Sequence, residues 1–271
     1  MNDLRELENR SLHIIREAVG RFKNPAAMWS VGKDSTALLW LVKKAFYGKV
    51  PFPIIHIDTG YKFKEMYAFR DRIAKEWGME LLVAENKKAK AAGVCPEKGR
   101  LECCTQLKTQ ALKDFLEEKK FDALFLAIRR DEHGIRAKER AFSPRDEDFK
   151  WDYKNQPPEM WDLFKGIAKG ETHMRVHPIL HWTEFDIWRF VQQENIPVNP
   201  LYFAKEHEDG TWKRYRSLGC VPCTNPVESK ADTIDKIVEE LRTTDVEERS
   251  GRCQDKENAY TMAKLRALGY M

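Results

Sequence analysis

Short buried runs and longer amphipathic stretches alternate along the first half of the chain. Residues 26 to 29, AAMW, form a brief apolar run that stops at Ser30. After it, Ala37, Leu38, Leu41, Val42, Ala45 and Phe46 recur about every 3.6 residues, as on one helix face. PIIHID, Pro53 to Asp58, reads as a second strand closed by Thr59-Gly60, and Lys62 to Trp77 as a helix. Met79 to Ala84 makes a third strand, Cys104 to Lys120 an amphipathic helix, and FDALFLAI, Phe121 to Ile128, a fourth strand. MRVHPIL, 174 to 180, gives a fifth. A helix follows from Thr183 to Asn195, opened by Thr183 with Asp186 at capping-box spacing. The tail from Ser229 to Met271 reads as two helices around SGRC.

Strands that alternate with helices at this rhythm predict an α/β fold, a doubly wound and mostly parallel five-stranded sheet with helices on both faces. A C-terminal extension of helices and loops completes it. Between Arg129 and Gly170 the chain is charged and poor in pattern. Its aromatics Phe142, Phe149, Trp151, Tyr153 and Trp161 predict a packed functional loop rather than disorder. Ligands of such sheets bind beyond the carboxyl ends of the strands. Three clusters fall there: the loop 30 to 36, Asp58-Thr59-Gly60, and Arg129-Arg130-Asp131-Glu132.

The 271 residues carry 47 Lys and Arg against 43 Asp and Glu, a net charge of +4, so any argument for an anionic partner rests on local clusters. No stretch reaches the roughly 18 apolar residues of a membrane span, and Met1 to Arg10 is too polar for a signal peptide. A cytoplasmic protein without a membrane partner is expected. Four of the six cysteines are grouped as Cys103-Cys104 and Cys220-Val-Pro-Cys223, a pattern that points to a metal rather than to disulfides.

The loop SVGKDS places Ser30, Gly32, Lys33, Asp34 and Ser35 between a strand and a helix, where backbone N–H groups and the helix dipole suit a phosphate. It lacks the Walker A pattern, since Lys33 is followed by Asp34. Arg129 and Arg130, with Arg136, Lys138 and Arg140 close behind, offer planar forks for oxyanions. Asp58 is equally a turn carboxylate and a candidate for orienting a nucleotide or metal. His133, His173, His177 and His181 read as hydrogen-bonded or solvated rather than as ligands.

The loop resembles the SGGKDS signature of the N-type ATP pyrophosphatases, with Val31 at the place of its first glycine. The likeness to the sulfate adenylyltransferase small subunits and the wider phosphoadenosine phosphosulfate (PAPS) reductase family runs nearly end to end. It spans SVGKDS, KAFY, PFPIIHIDTGYKFKEMYAFRD, RRDE, RAKERAFSPRD, KWDYKNQPPE, WTEFDIW, LGC and VES. That resemblance implies an adenine nucleotide α-hydrolase-like fold, with an ATP pyrophosphatase domain at 1–195 and the extension at 196–271. It implies cleavage of ATP between its α- and β-phosphates, with AMP passed to an oxyanion.

On this reading Lys33, Asp34, Arg129 and Arg130 are catalytic, and Ser30, Gly32, Lys33, Asp34, Ser35, Asp58 and Gly60 bind the nucleotide. Asp34 touches Mg²⁺ through water. The cysteine pattern resembles the 4Fe-4S ligands of adenylylsulfate reductases and of the ATP pyrophosphatase of DNA phosphorothioation, so Cys103, Cys104, Cys220 and Cys223 are expected to hold an iron-sulfur cluster, with zinc as the second option. Cys253, in SGRCQDKE, does not match the Glu-Cys-Gly motif of the reductases. The expected acceptor is therefore a DNA phosphate, with a cysteine desulfurase or another sulfur-transfer subunit as partner. The alternative is a sulfate adenylyltransferase small subunit working with a GTPase, against which the short segment between Pro200 and Leu218 counts. A nucleotide-binding subunit without catalysis is the third class.

Overall fold

A computed structural model describes residues 3–132, 134–156, 158–159, 163–164 and 173–252. Helix α1 (Leu4–Arg21) leads to β1 (Pro25–Met28), α2 (Lys33–Ala45), β2 (Ile54–Ile57), α3 (Lys64–Glu76) and β3 (Leu81–Ala84). Next come α4 (Lys87–Ala91), α5 (Arg100–Cys104), α6 (Ala111–Lys119) and β4 (Ala123–Phe125), then β5 (Phe142–Arg145), β6 (His173–Val176) and α7 (Glu184–Glu194). The extension supplies β7 (Lys205–Glu206), β8 (Trp212–Arg214), β9 (Val227–Glu228) and α8 (Ile234–Thr243).

Side chains alternate across a strand, and the two core clusters follow that alternation. Ala27, Trp29, Ile54 and Phe125 face α1, α2, α3 and α7 on one side. Ala26, Met28, Ile55, Ile57 and Leu124 face Ala111, Leu112 and Leu116 of α6 on the other. The six-stranded sheet has the order β3-β2-β1-β4-β6-β5, with β1 pairing in parallel with both β2 and β4. The chain reverses its direction of winding between β1 and β4. The crevice beyond their carboxyl ends is the place where such sheets hold ligands.

Three expectations need revision here. The irregular stretch after Arg129 contains β5, an antiparallel edge strand on β6, so the sheet has six strands rather than five. Glu159 anchors it by accepting from the N–H groups of Ala141 and Phe142 at 3.0 and 2.8 Å, and Phe142 stacks on Phe164 with ring centroids 4.5 Å apart. The predicted helix over 104–120 is broken by a π-helical turn at Thr105–Gln110. Trp161 and the second tail helix lie outside the described residues. A small sheet of order β7-β8-β9 stands in the extension, where only helices and loops were expected.

The helix from Thr183 does carry its capping box, formed with Asp186. No described helix is long and apolar enough to cross a membrane.

Two histidines are sealed inside the sheet. Nδ1–H of His56 donates to the carbonyl of Trp29 at 2.9 Å, and that of His173 to the carbonyl of Phe121 at 3.1 Å. Burial lowers their pKa values, to about 4 and about 3, assisted by Lys62 near His56 and by Arg175 near His173. Both are therefore neutral when folded. The unfolded chain takes up their protons near the ordinary histidine value, so their contribution to stability is complete above about pH 6.5 and is lost as pH falls below it. Urea unfolding should show stability falling between about pH 6.5 and 4, with a shallower slope in His173→Gln. Phe125→Ala, which removes a ring stacked on Phe52 at 5.0 Å, should cost roughly 3–5 kcal/mol in the same assay.

Candidate active site

Trp29 ends the first apolar run, and its indole N–H donates to the Thr36 hydroxyl at 3.1 Å, which ties the strand to the helix it feeds. Between them the backbone turns through Val31 at φ +66°, the left-handed region that β-branched residues rarely adopt. Val31 is wholly buried, so its surroundings hold it there. This is the position at which the resembling loop signature has glycine, whose φ is free. Gly32 then caps α2, and the Ser35 hydroxyl donates to its carbonyl at 3.1 Å and pairs with the Ser30 hydroxyl at 3.0 Å.

Lys33 is 1% exposed. Its ammonium pairs with Asp34 at 3.1 Å and with Glu248, and it donates to the carbonyl of Arg216 at 3.4 Å. Its backbone N–H is taken by the Tyr202 hydroxyl at 2.8 Å. Arg129 is fully buried and pairs with Asp34, Glu248 and Asp131. Burial alone would discharge Lys33, yet Asp34 and Glu248 hold it firmly protonated, above the ordinary lysine range. Burial would likewise neutralise Glu248, but Arg129 and Lys33 keep its carboxyl well below the usual carboxylate range.

Lys33, Asp34, Tyr202 and Glu248 line a cavity of about 150 Å³ at the switch between β1 and β4, and Arg129 pairs with two of them. Ser30, Gly32, Lys33, Asp34 and Ser35 are among the residues that line it. Lys62, Lys108, Arg136, Arg249 and Arg252 add further positive charge around it. Arg136 and Arg249 are both paired with Glu132, the latter at 2.8 Å.

The other predicted residues lie elsewhere. Asp58 accepts from the Gly60 N–H and the Tyr67 hydroxyl, both at 2.7 Å, and Gly60 sits at φ +80° in the turn so made. Neither reaches the cavity wall. Arg130 points to His181 at 2.8 Å and to the Glu139 carbonyl at 2.9 Å, so only the first of the paired arginines meets the loop. Lys138 stands over the Tyr153 ring, 4.7 Å from its centroid. His177 bonds the Arg140 carbonyl at 2.8 Å. His133 and Cys253 lie outside the described residues.

Sequence reading missed Glu248, Tyr202, Lys62, Lys108 and Arg252. The signal for Glu248 and Arg252 is the charged run EERSGR, 247 to 252, just before the cysteine of SGRC.

The four cysteines come near one another but do not form a ligand set. Among the described residues no group of three or more His, Cys, Asp or Glu side chains is gathered to hold a metal ion. The described residues thus give the expected iron-sulfur cluster, and zinc with it, no support, and no chemistry is routed through either. Cys103 packs in an apolar nest with Ala89 and Leu107, where burial pushes its thiol up to about 12. Burial acts the same way on Cys220, yet Lys108, Lys62 and a 3.3 Å bond with the Thr59 hydroxyl bring it down to about 7.

The sequence profile described as the phosphoadenosine phosphosulfate reductase domain matches residues 24–226. The chain belongs to the PAPS reductase family. Within it, a protein of Phocaeicola vulgatus named sulfate adenylyltransferase subunit 2 is 47% identical, over all of this chain and 98% of the relative. Its namesake from Allorhizobium ampelinum is 43% identical over 98% of this chain and 93% of the relative. The fold is that of a PAPS reductase from Candida auris in a phosphate complex, with TM-score 0.57 and 16% identity over 83% of this chain and 96% of that one. It is shared too by the FMN adenylyltransferase of Candida glabrata in complex with ATP, with TM-score 0.56 and 19% identity over 82% of this chain and 63% of that one.

One close approach fastens the segment bearing Glu248 to the chain at Asn225. The Asn225 N–H donates to the Gly251 carbonyl at 2.9 Å, and a Cβ on Gly251 would stand 2.3 Å from the Asn225 carbonyl oxygen. Gly251→Ala should therefore loosen residues 244–252 at a cost of about 1–3 kcal/mol, read as faster amide exchange confined to that segment.

Proposed function

We propose that this chain is the ATP-cleaving subunit of a sulfate adenylyltransferase. A sulfate oxygen attacks the α-phosphorus of ATP, the bond to the β-phosphate oxygen breaks, and adenylyl sulfate and pyrophosphate leave. The observation that carries this reading is the near-complete coverage of relatives named sulfate adenylyltransferase subunit 2 by a chain whose loop cations sit at the switch point of the sheet. The same relatives favour sulfate over the DNA phosphate expected from the cysteine pattern. They favour a partner subunit, here a GTPase that drives the reaction, over a cysteine desulfurase.

The chemistry suits the residues. Two anions must meet, so most of the catalytic work is neutralisation and alignment. Lys33 and Arg129 hold the departing pyrophosphate, helped by the N–H groups at the start of α2 and the Ser30 and Ser35 hydroxyls. Mg²⁺ enters on the nucleotide's own phosphates as part of the substrate, with Asp34 as the carboxylate beside it.

Pyrophosphate release from ATP, measured with the GTPase partner and with sulfate, DNA or neither, should depend on sulfate alone. Release that follows DNA, or that ignores sulfate, would overturn the reading. Lys33→Ala should lower kcat/KM by about 10²–10³, the usual loss when one donor to a developing anion is removed. Arg130→Ala, which faces His181 rather than the cavity, should lower the unfolding midpoint instead of turnover.

A further inference from the structure

The two cations that would hold a polyphosphate are already engaged by the chain itself. The Lys33 ammonium and the Arg129 guanidinium share the Glu248 carboxylate, and the Tyr202 hydroxyl takes the Lys33 N–H. Glu248 lies 215 residues from Lys33 in sequence, and its side chain is only 8% exposed. The remaining cavity, about 150 Å³, is smaller than the roughly 300 Å³ at which pockets for nucleotide-sized ligands begin.

We propose that Glu248 stands in the place of a nucleotide phosphate, and that residues 244–252 form a cover which the triphosphate must displace to enter. A carboxylate and a phosphate both offer paired oxygens to the same guanidinium and ammonium groups. In the nucleotide's absence two cations buried at the carboxyl ends of β1 and β4 need counter-anions, and Glu248 joins Asp34 and Asp131 in supplying them.

The way the segment is fastened suits a cover. It is attached by polar contacts: Arg216 to the Val246 carbonyl, Arg249 to Glu132, Arg252 to Thr224 at 3.1 Å, and the Gly251 carbonyl to Asn225. Val246, its one large apolar side chain, is 52% exposed. No large apolar side chain of the segment is buried, so lifting it breaks polar contacts alone and opening is local.

This inference rests on the reading of the loop as an ATP site, and the experiment separates the two. The affinity of ATP and AMP is measured by calorimetry for the wild type, Glu248→Gln, Gly251→Ala and the control Glu247→Gln, with amide exchange of residues 244–252 followed with and without ATP. Removing a built-in competitor raises the fraction of open molecules, so Glu248→Gln should bind ATP about tenfold tighter. AMP, which lacks the outer phosphates, should be unchanged, as should ATP binding to Glu247→Gln. Gly251→Ala should move in the same direction as Glu248→Gln, which keeps the test alive if either variant folds badly. In the wild type, ATP should speed exchange in 244–252.

Weaker or equal ATP binding by Glu248→Gln, or exchange in 244–252 that slows on ATP addition, would overturn the cover while leaving the ATP site intact. Failure of the wild type and all the variants to bind ATP would remove the functional reading, and the cover with it.

Discussion

Two positive charges with almost no access to water govern this molecule. Lys33 and Arg129 come from different strand ends, at the point where the sheet reverses its winding, and neither is tolerable there without an anion. The carboxylates of Asp34, Asp131 and Glu248 are arranged around that need. The register of β1 on β4 sets the distance between the cations. Once the sheet forms, the charge problem is fixed, and the extension is the part of the chain that completes its solution.

Much of the fold was legible because buried parallel strands and their helices write themselves as apolar runs and 3.6-residue recurrences. AAMW, PIIHID and FDALFLAI each hold a strand of the sheet, although the pairing residues begin or end a little apart from the runs. β5 was not legible. FSPR carries a proline and two polar residues at the sheet's edge, and its partners are β6 and a glutamate from the loop beyond it. The π turn at Thr105–Gln110 leaves no mark on a helical pattern either, because one extra residue shifts the face without breaking the amphipathic stretch.

The candidate site divides in the same way. Residues close in sequence, Ser30 to Ser35, could be recognised from their spacing. Of two adjacent arginines, spacing could not say which would face the loop; backbone direction after β4 sends Arg129 in and Arg130 towards His181. Asp58 had two readings of equal weight, and the Tyr67 hydroxyl and Gly60 N–H now account for its oxygens. The cysteines divide differently: Lys62, Lys108 and Arg252 stand around Cys220 and favour its thiolate, whereas Cys103 sits in an apolar nest that favours the thiol.

The left-handed valine has a bearing on how entropy is distributed. A buried, β-branched residue in that conformation costs about 1–3 kcal/mol, and it persists only because tryptophan, threonine and the core around it leave no other choice. Such a corner does not fluctuate between shapes. The cradle is consequently cast in advance, and an arriving ligand spends nothing on ordering it; whatever disorder the protein trades during its working cycle is confined to chain that the core does not own.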